Sequence, residues 1–142
     1  MVDQKQRVEL RQAMELFFFA YREFTGGADK VLAERGLGRV HHRILYFVGR
    51  DSGGSVNALL ETLQVSKQAL NAPLRQLVDL GLVLSVTAGH DRRVRCLSLS
   101  DAGKALEAQL SGIQMAHLAL AFEQAGPVAE AGWRRVMQAM PG

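Results

Sequence analysis

Leu10, Met14, Phe17, Tyr21 and Phe24 recur at alternating steps of four and three, which puts five large apolar side chains on one stripe of a helix. Phe18 and Phe19 widen that stripe. A helix apolar over more than one face buries both, and in so short a chain the second cover is expected to be another subunit. Gly26-Gly27 is expected to end this helix, with a short helical segment following over about Ala28 to Arg35 and stopping at Gly36. Val40, Ile44, Phe47 and Val48 mark the next amphipathic helix, which breaks at Asp51-Ser52-Gly53-Gly54. Ser55 is a good N-cap for a helix carrying Val56, Leu59, Leu60 and Leu63, and Ser66 caps another whose inner side is Leu70, Leu74, Leu77 and Val78 and which stops at Gly81. Only Gln64-Val65 separates the two, so the pair reads as a helix-turn-helix.

Past Gly81 the period changes. LVLSVT and VRCLSLS are rich in β-branched and aliphatic residues, and the Ala88-Gly89-His90-Asp91 cluster between them predicts a β-hairpin. Ser100 then caps a long helix with Leu106, Leu110, Ile113, His117 and Leu120 on one seam, where His117 is expected to be a satisfied buried histidine. Gly126-Pro127 interrupts it, and a last helix carries Trp133, Val136, Met137 and Met140 on one side. The fold class expected is mainly α with a small β-hairpin wing.

Composition narrows the class further. With 142 residues, 48% of them apolar and 22% charged, the chain suits one globular domain. The start is polar and no apolar stretch approaches the roughly 20 residues of a membrane span, so the expected location is the cytoplasm, with no membrane partner. A single cysteine, Cys96, excludes an internal disulfide and metal sites built on paired CxxC motifs. Alternation along the hairpin makes Cys96 a small packed side chain, although a thiolate beside Arg95 would be somewhat activated. His41 and His42 are adjacent, so they point about 100° apart on a helix and are poor joint ligands. No metal or cofactor is expected. No glycine-rich phosphate loop, nucleophile elbow or HExxH appears either, and an enzyme is not expected.

The net charge of +3 identifies no partner, but its placement does. From Ser66 to Arg95 the cations are Lys67, Arg75, Arg92, Arg93 and Arg95 against the anions Asp79 and Asp91. From Asp101 onward three cations face four anions. A helix-turn-helix followed at once by a basic-tipped hairpin sets two probes side by side, one of the right width for a major groove and one able to reach the minor groove or the backbone. With its leucines turned inward, the second helix presents Lys67, Gln68, Asn71 and Arg75. Asn and Gln can pair with adenine and Arg with guanine by two hydrogen bonds each, and Lys67 near the helix start suits a phosphate, as does Ser66.

The stretch DRRVRCLSLSDAG, Asp91 to Gly103, resembles the wing of MarR-family regulators. LLETLQVS and LRQLVDLGLV resemble that family's second and third DNA-domain helices and LGRVHHRILYFV its first, so the resemblance covers about Leu37 to Gly103. It implies a winged helix-turn-helix lobe over 37–103, flanked by dimerisation helices over 1–36 and 104–142. It also implies a homodimer that reads a near-palindromic operator, as a repressor. By position Arg93 becomes the minor-groove arginine and Asp91 braces the wing by pairing with a nearby arginine, while Arg92 serves either role. A small, often aromatic, acid is the effector the family implies, with Tyr21, His42 and Tyr46 as candidate polar contacts. Two departures stand out. Ala72 occupies a mid-helix place where the family often has Arg or Lys, and Pro73 follows it, which predicts a kink near Ala69 to Pro73. Those two residues also leave open a winged-helix module that binds another protein without reading DNA.

Overall fold

The computed structural model describes residues 2–142. Its elements are α1 (Gln4–Glu34), α2 (Arg39–Arg50), β1 (Gly54–Ser55), α3 (Val56–Leu63), α4 (Lys67–Asp79), β2 (Val83–Ala88), β3 (Asp91–Leu99), α5 (Asp101–Ala125) and α6 (Pro127–Gln138). The chain is mainly helical, with a three-stranded antiparallel sheet ordered β1-β3-β2. Ala28–Ser111 form one compact unit; the residues up to Gly27, together with Gly112–Gly142, form another.

The expected break at Gly26-Gly27 is absent, because α1 runs through both glycines and the separate short helix is simply its last turns. Glycine costs a helix interior about 1 kcal/mol relative to alanine, a penalty that packing readily exceeds. At Gly27 there is a packing reason for it: a Cβ there would lie 2.8 Å from Ile113 Cγ2. The helix stops where Gly36 takes a left-handed φ of +70°. Leu37 N–H then donates to the Leu32 carbonyl at 2.9 Å and Gly36 N–H to that of Ala33 at 3.1 Å, which satisfies two carbonyls of the helix's last turn.

The core belongs to the unit Ala28–Ser111. Leu32, Ile44, Leu45, Leu70, Leu77, Leu97, Leu106 and Leu110 are all essentially inaccessible, so α1, α2, α4, β3 and α5 each contribute to it. The hairpin pairs Val83 with Leu99 through Thr87 with Arg95, then shifts register between Thr87 and Ala88, leaving only Gly89-His90 as the connection. Strand β1 was not expected. Its two residues pair with Leu97 and Cys96, and a strand of that length shows no alternation to read.

Ser100 joins the hairpin to α5. Its hydroxyl donates to the Gly81 carbonyl at 2.6 Å and accepts from Gly103 N–H at 3.0 Å, so one side chain caps α5 and ties it to the end of α4. Gly103 lies so close to Leu82 that an added Cβ would collide with the Leu82 carbonyl oxygen.

The other unit is different in kind. Among its described residues no apolar side chain is buried, and Met14, Phe17, Phe18, Leu120, Trp133 and Val136 are all exposed. His117, expected in a buried seam, is exposed on α5 as well, because the buried seam of that helix ends at Ser111.

Gly103→Ala should therefore destabilise the fold by about 1–3 kcal/mol, the usual cost of overpacking. Thermal unfolding followed by circular dichroism should show a midpoint lower by several degrees; an unchanged midpoint would show that α5 can slide away from Leu82.

Candidate nucleic-acid interface

Helices α3 and α4 each begin on a serine whose hydroxyl accepts a backbone N–H. Ser55 Oγ takes Ala58 N–H and Ser66 Oγ takes Ala69 N–H, both at 3.1 Å. Between them Gln64 alone adopts a left-handed backbone, with φ 56°, and this one residue turns the chain from α3 into α4. Leu70 and Leu77 are buried and Leu74 and Val78 partly so, as the spacing predicts. Lys67, Gln68, Asn71 and Arg75 are all exposed, and so is Ser66, whose acceptor is used as the cap while its proton stays available to a further partner.

Helix α4 is continuous from Lys67 to Asp79 with Pro73 inside it. Pro73 removes the hydrogen bond to the Ala69 carbonyl but does not divide the helix. No acidic residue lies in its first turn, so the positive end of the helix dipole and Lys67 act together on any anion placed there.

On the wing, Asp91 Oδ1 accepts the Arg93 backbone N–H at 2.9 Å and faces Arg93 Nε at 3.3 Å. The arginine that Asp91 engages is thus Arg93 itself, whose side chain is still 91% exposed and projects beyond the turn. Such an exposed pair contributes only about 0–1 kcal/mol, so its effect is to orient the guanidinium. Arg92 is exposed beside it. Arg95 Nη1 donates to Ser85 Oγ across the hairpin at 3.2 Å, stiffening the strand below the tip.

Two polar contacts behind this face carried no signal in sequence periodicity. His41 Nδ1 accepts Gly38 N–H at 2.9 Å, and its Nε2 lies 2.8 Å from Gln76 Oε1 on α4. His41 sits three residues after Gly38, the place from which a side chain reaches back to the start of its own helix, and that spacing could have flagged it.

The candidate effector residues fall in both units. Tyr21 belongs to the terminal unit, whereas His42 and Tyr46 belong to the lobe. His42 is buried, with Nε2 3.5 Å from Ser111 Oγ, which in turn donates to Glu107 Oε1 at 2.8 Å. Tyr46 instead lines an open cleft of about 260 Å³ with Gly49, Arg50, Ser52, Leu99, Lys104 and Glu107. No group of three or more metal-ligating side chains occurs among the described residues, and no helix there is long and apolar enough to cross a membrane.

Burial holds the His42 imidazole below the ordinary histidine pKa, against the opposing pull of the Glu107 and Asp29 carboxylates and with a smaller push from Arg43. With the folded pKa lowered, the unfolded chain takes up protons first. The stability from the neutral ring is full above about pH 6.5 and is lost as pH falls through that value toward the folded one. Denaturant titrations between pH 7.5 and 5 should give a shallower decline for His42→Gln than for the wild type. Parallel curves would show that another group drives the acid loss.

The geometry agrees with known proteins. A MarR-family profile matches residues 35–94. The HTH-type transcriptional regulator PetP of Rhodobacter capsulatus is 44% identical over 132 residues, covering 93% of this chain and 80% of that protein. Among solved structures, the MarR family transcription regulator SP03579 superposes with a TM-score of 0.81 at 22% identity, over 95% of this chain and 89% of that one. A Staphylococcus aureus MepR–DNA complex gives 0.71 at 17% identity, over 89% and 97%. A complex of the Mycobacterium tuberculosis MarR family protein Rv2887 with p-aminosalicylic acid gives 0.61 at 20% identity, over 87% and 94%.

Proposed function

The chain belongs to the MarR family of helix-turn-helix transcription regulators, and we propose that it binds duplex DNA sequence-specifically as a homodimer, acting in the cytoplasm as a repressor on a near-palindromic operator. The observation that carries this reading is the pairing of two exposed polar probes on one rigid core. Helix α4 presents Lys67, Gln68, Asn71 and Arg75 from a scaffold fixed by Leu70 and Leu77, and the wing carries Arg92 and Arg93 on a hairpin rooted in the same core by Leu97 and Leu99.

The roles divide by chemistry. Ser66 and Lys67 at the start of α4 hold a phosphate. Gln68 and Asn71 read base edges in the major groove, with Arg75 further along the helix. Arg93, aimed by Asp91, enters the minor groove, and Arg92 contacts the backbone beside it. The exposed apolar side chains of the terminal helices, Phe17, Phe18 and Trp133 among them, meet those of a second copy. A small aromatic acid is the proposed effector. Arg50 and Lys104 in the cleft beside Tyr46 offer two cations to its carboxylate.

Arg93→Ala should weaken binding to every duplex and reduce the slope of log affinity against log salt by about one, because one fewer phosphate-field cation releases counterions. Full affinity with the wild-type slope would remove the wing from the interface.

Asn71→Ala should act on sequence preference instead. The best duplex should lose about 1–3 kcal/mol, with preference relaxed at one position per half-site, while random DNA is bound almost as before. Equal losses on both duplexes would make Asn71 a backbone contact and end its assignment as a base reader.

A further inference from the structure

We infer that His41 is a positioning residue that fixes the rotation of the recognition helix α4 about its own axis, through its hydrogen bond to Gln76. The inference rests on the base-reading role proposed for α4 and adds how its angle is set.

The hydrogen bonds assign the imidazole's protons. Gly38 N–H can only donate, so Nδ1, 2.9 Å away, is the acceptor and carries no proton. The proton of the neutral ring is therefore on Nε2, which donates to Gln76 Oε1 at 2.8 Å. This fixes the amide of Gln76 in turn, leaving its Nε2 facing the Gly36 carbonyl at 3.5 Å. His41 is only 8% exposed, whereas Gln76 lies at the surface, so the bond between them is part-buried and anchored from the His41 side. One buried ring thus links the loop before α2, the first turn of α2 and the third turn of α4. Arg39, two residues before His41, pairs with Asp29 of α1 at 2.8 Å, so the same turn of α2 is also held to the end of α1.

The need for such a link follows from helix geometry. Leu70 and Leu77 are seven residues apart, within about 20° of each other around α4, and so form a single line of buried contact nearly parallel to its axis. Leu74 and Val78, partly buried, widen that line on one side. Gln76 lies on the other side, about 100° from Leu77 and about 120° from Leu70. Apolar packing along one stripe resists separation better than it resists rolling, since apolar contacts are not directional. A directional bond well off the stripe resists the roll. At a radius of about 5–6 Å a roll of 10° moves a side-chain tip by roughly 1 Å. That is enough to spoil a two-bond contact from Asn71 or Gln68 to a base, yet it leaves a lysine–phosphate attraction almost unaltered.

Two substitutions separate this role from simple helix capping. His41→Asn keeps an acceptor near the Nδ1 position for Gly38 N–H but cannot reach Gln76. His41→Gln is long enough to offer an amide N–H to Gln76 Oε1. Affinities for the best duplex and for a random duplex are measured with the wild type and both variants. Their thermal midpoints are compared, and the 15N shifts of the wild-type imidazole are recorded without DNA. His41→Asn should lower the ratio of best-duplex to random-duplex affinity by about three- to tenfold, the worth of one hydrogen bond, at unchanged random-duplex affinity. His41→Gln should recover most of that ratio. The shifts should show protonated Nε2 and bare Nδ1. A wild type that discriminates duplexes beside an Asn variant that discriminates equally well would overturn the positioning role alone, as would a proton found on Nδ1. A wild type with no duplex preference would overturn the base-reading proposal and this inference with it.

Discussion

The structure depends on the burial of Leu70 and Leu77, which anchor one side of α4 in the same core as Leu32, Ile44, Leu45, Leu97, Leu106 and Leu110. Each fully buried leucine contributes about 1.5–3 kcal/mol, so the two together match or exceed the roughly 3 kcal/mol that Pro73 costs within the helix. That balance explains how a helix with an interior proline stays in one piece. It also decides which face is left outside. Once the leucines point inward, Lys67, Gln68, Asn71 and Arg75 have only solvent or a ligand to face. The left-handed turns at Gln64 and Gly81 then fix where α4 begins and where the wing departs.

The wing is held as firmly at its root as it is free at its tip. Leu97 and Leu99 enter the core, and Ser100 ties the hairpin's exit both to the end of α4 and to the start of α5. At the tip, Asp91 engages Arg93 through main chain and side chain, with nearly the whole guanidinium outside. Most ion pairs here serve in the same manner: they set directions and add little stability. The hydrogen bonds of the buried His41 and His42 rings, part-buried for His41 and buried for His42, belong to another class, because a buried polar group left unpaired costs more than an exposed pair gains.

Much of this was legible in the sequence, for reasons that can be named. The serine caps at 55, 66 and 100, the stops at Gly36 and Gly81, and the change of period after Gly81 are local rules, and each element obeys them. The exposed residues of α4 followed from its inward leucines. What sequence reading missed depends on distant partners. Gly26-Gly27 carries a stop signal that tertiary packing overrides, as Ile113 against Gly27 shows. Strand β1 exists only because β3 is beside it. The seam expected around His117 is exposed, since periodicity reports that a face is apolar and not what covers it. The His41–Gln76 bond joins residues 35 apart, and no local pattern encodes such a meeting.

The apolar terminal helices and the two probes lead to a single expectation, a two-fold dimer that sets two copies of α4 on one face of a duplex. Repeated selection of bound duplexes from a random pool, at low salt, tests it most directly. A near-palindrome whose half-site centres lie roughly 10 base pairs, one helical turn, apart should be enriched. Recovery of a pool no different from the input, or of an isolated half-site without its partner, would contradict it.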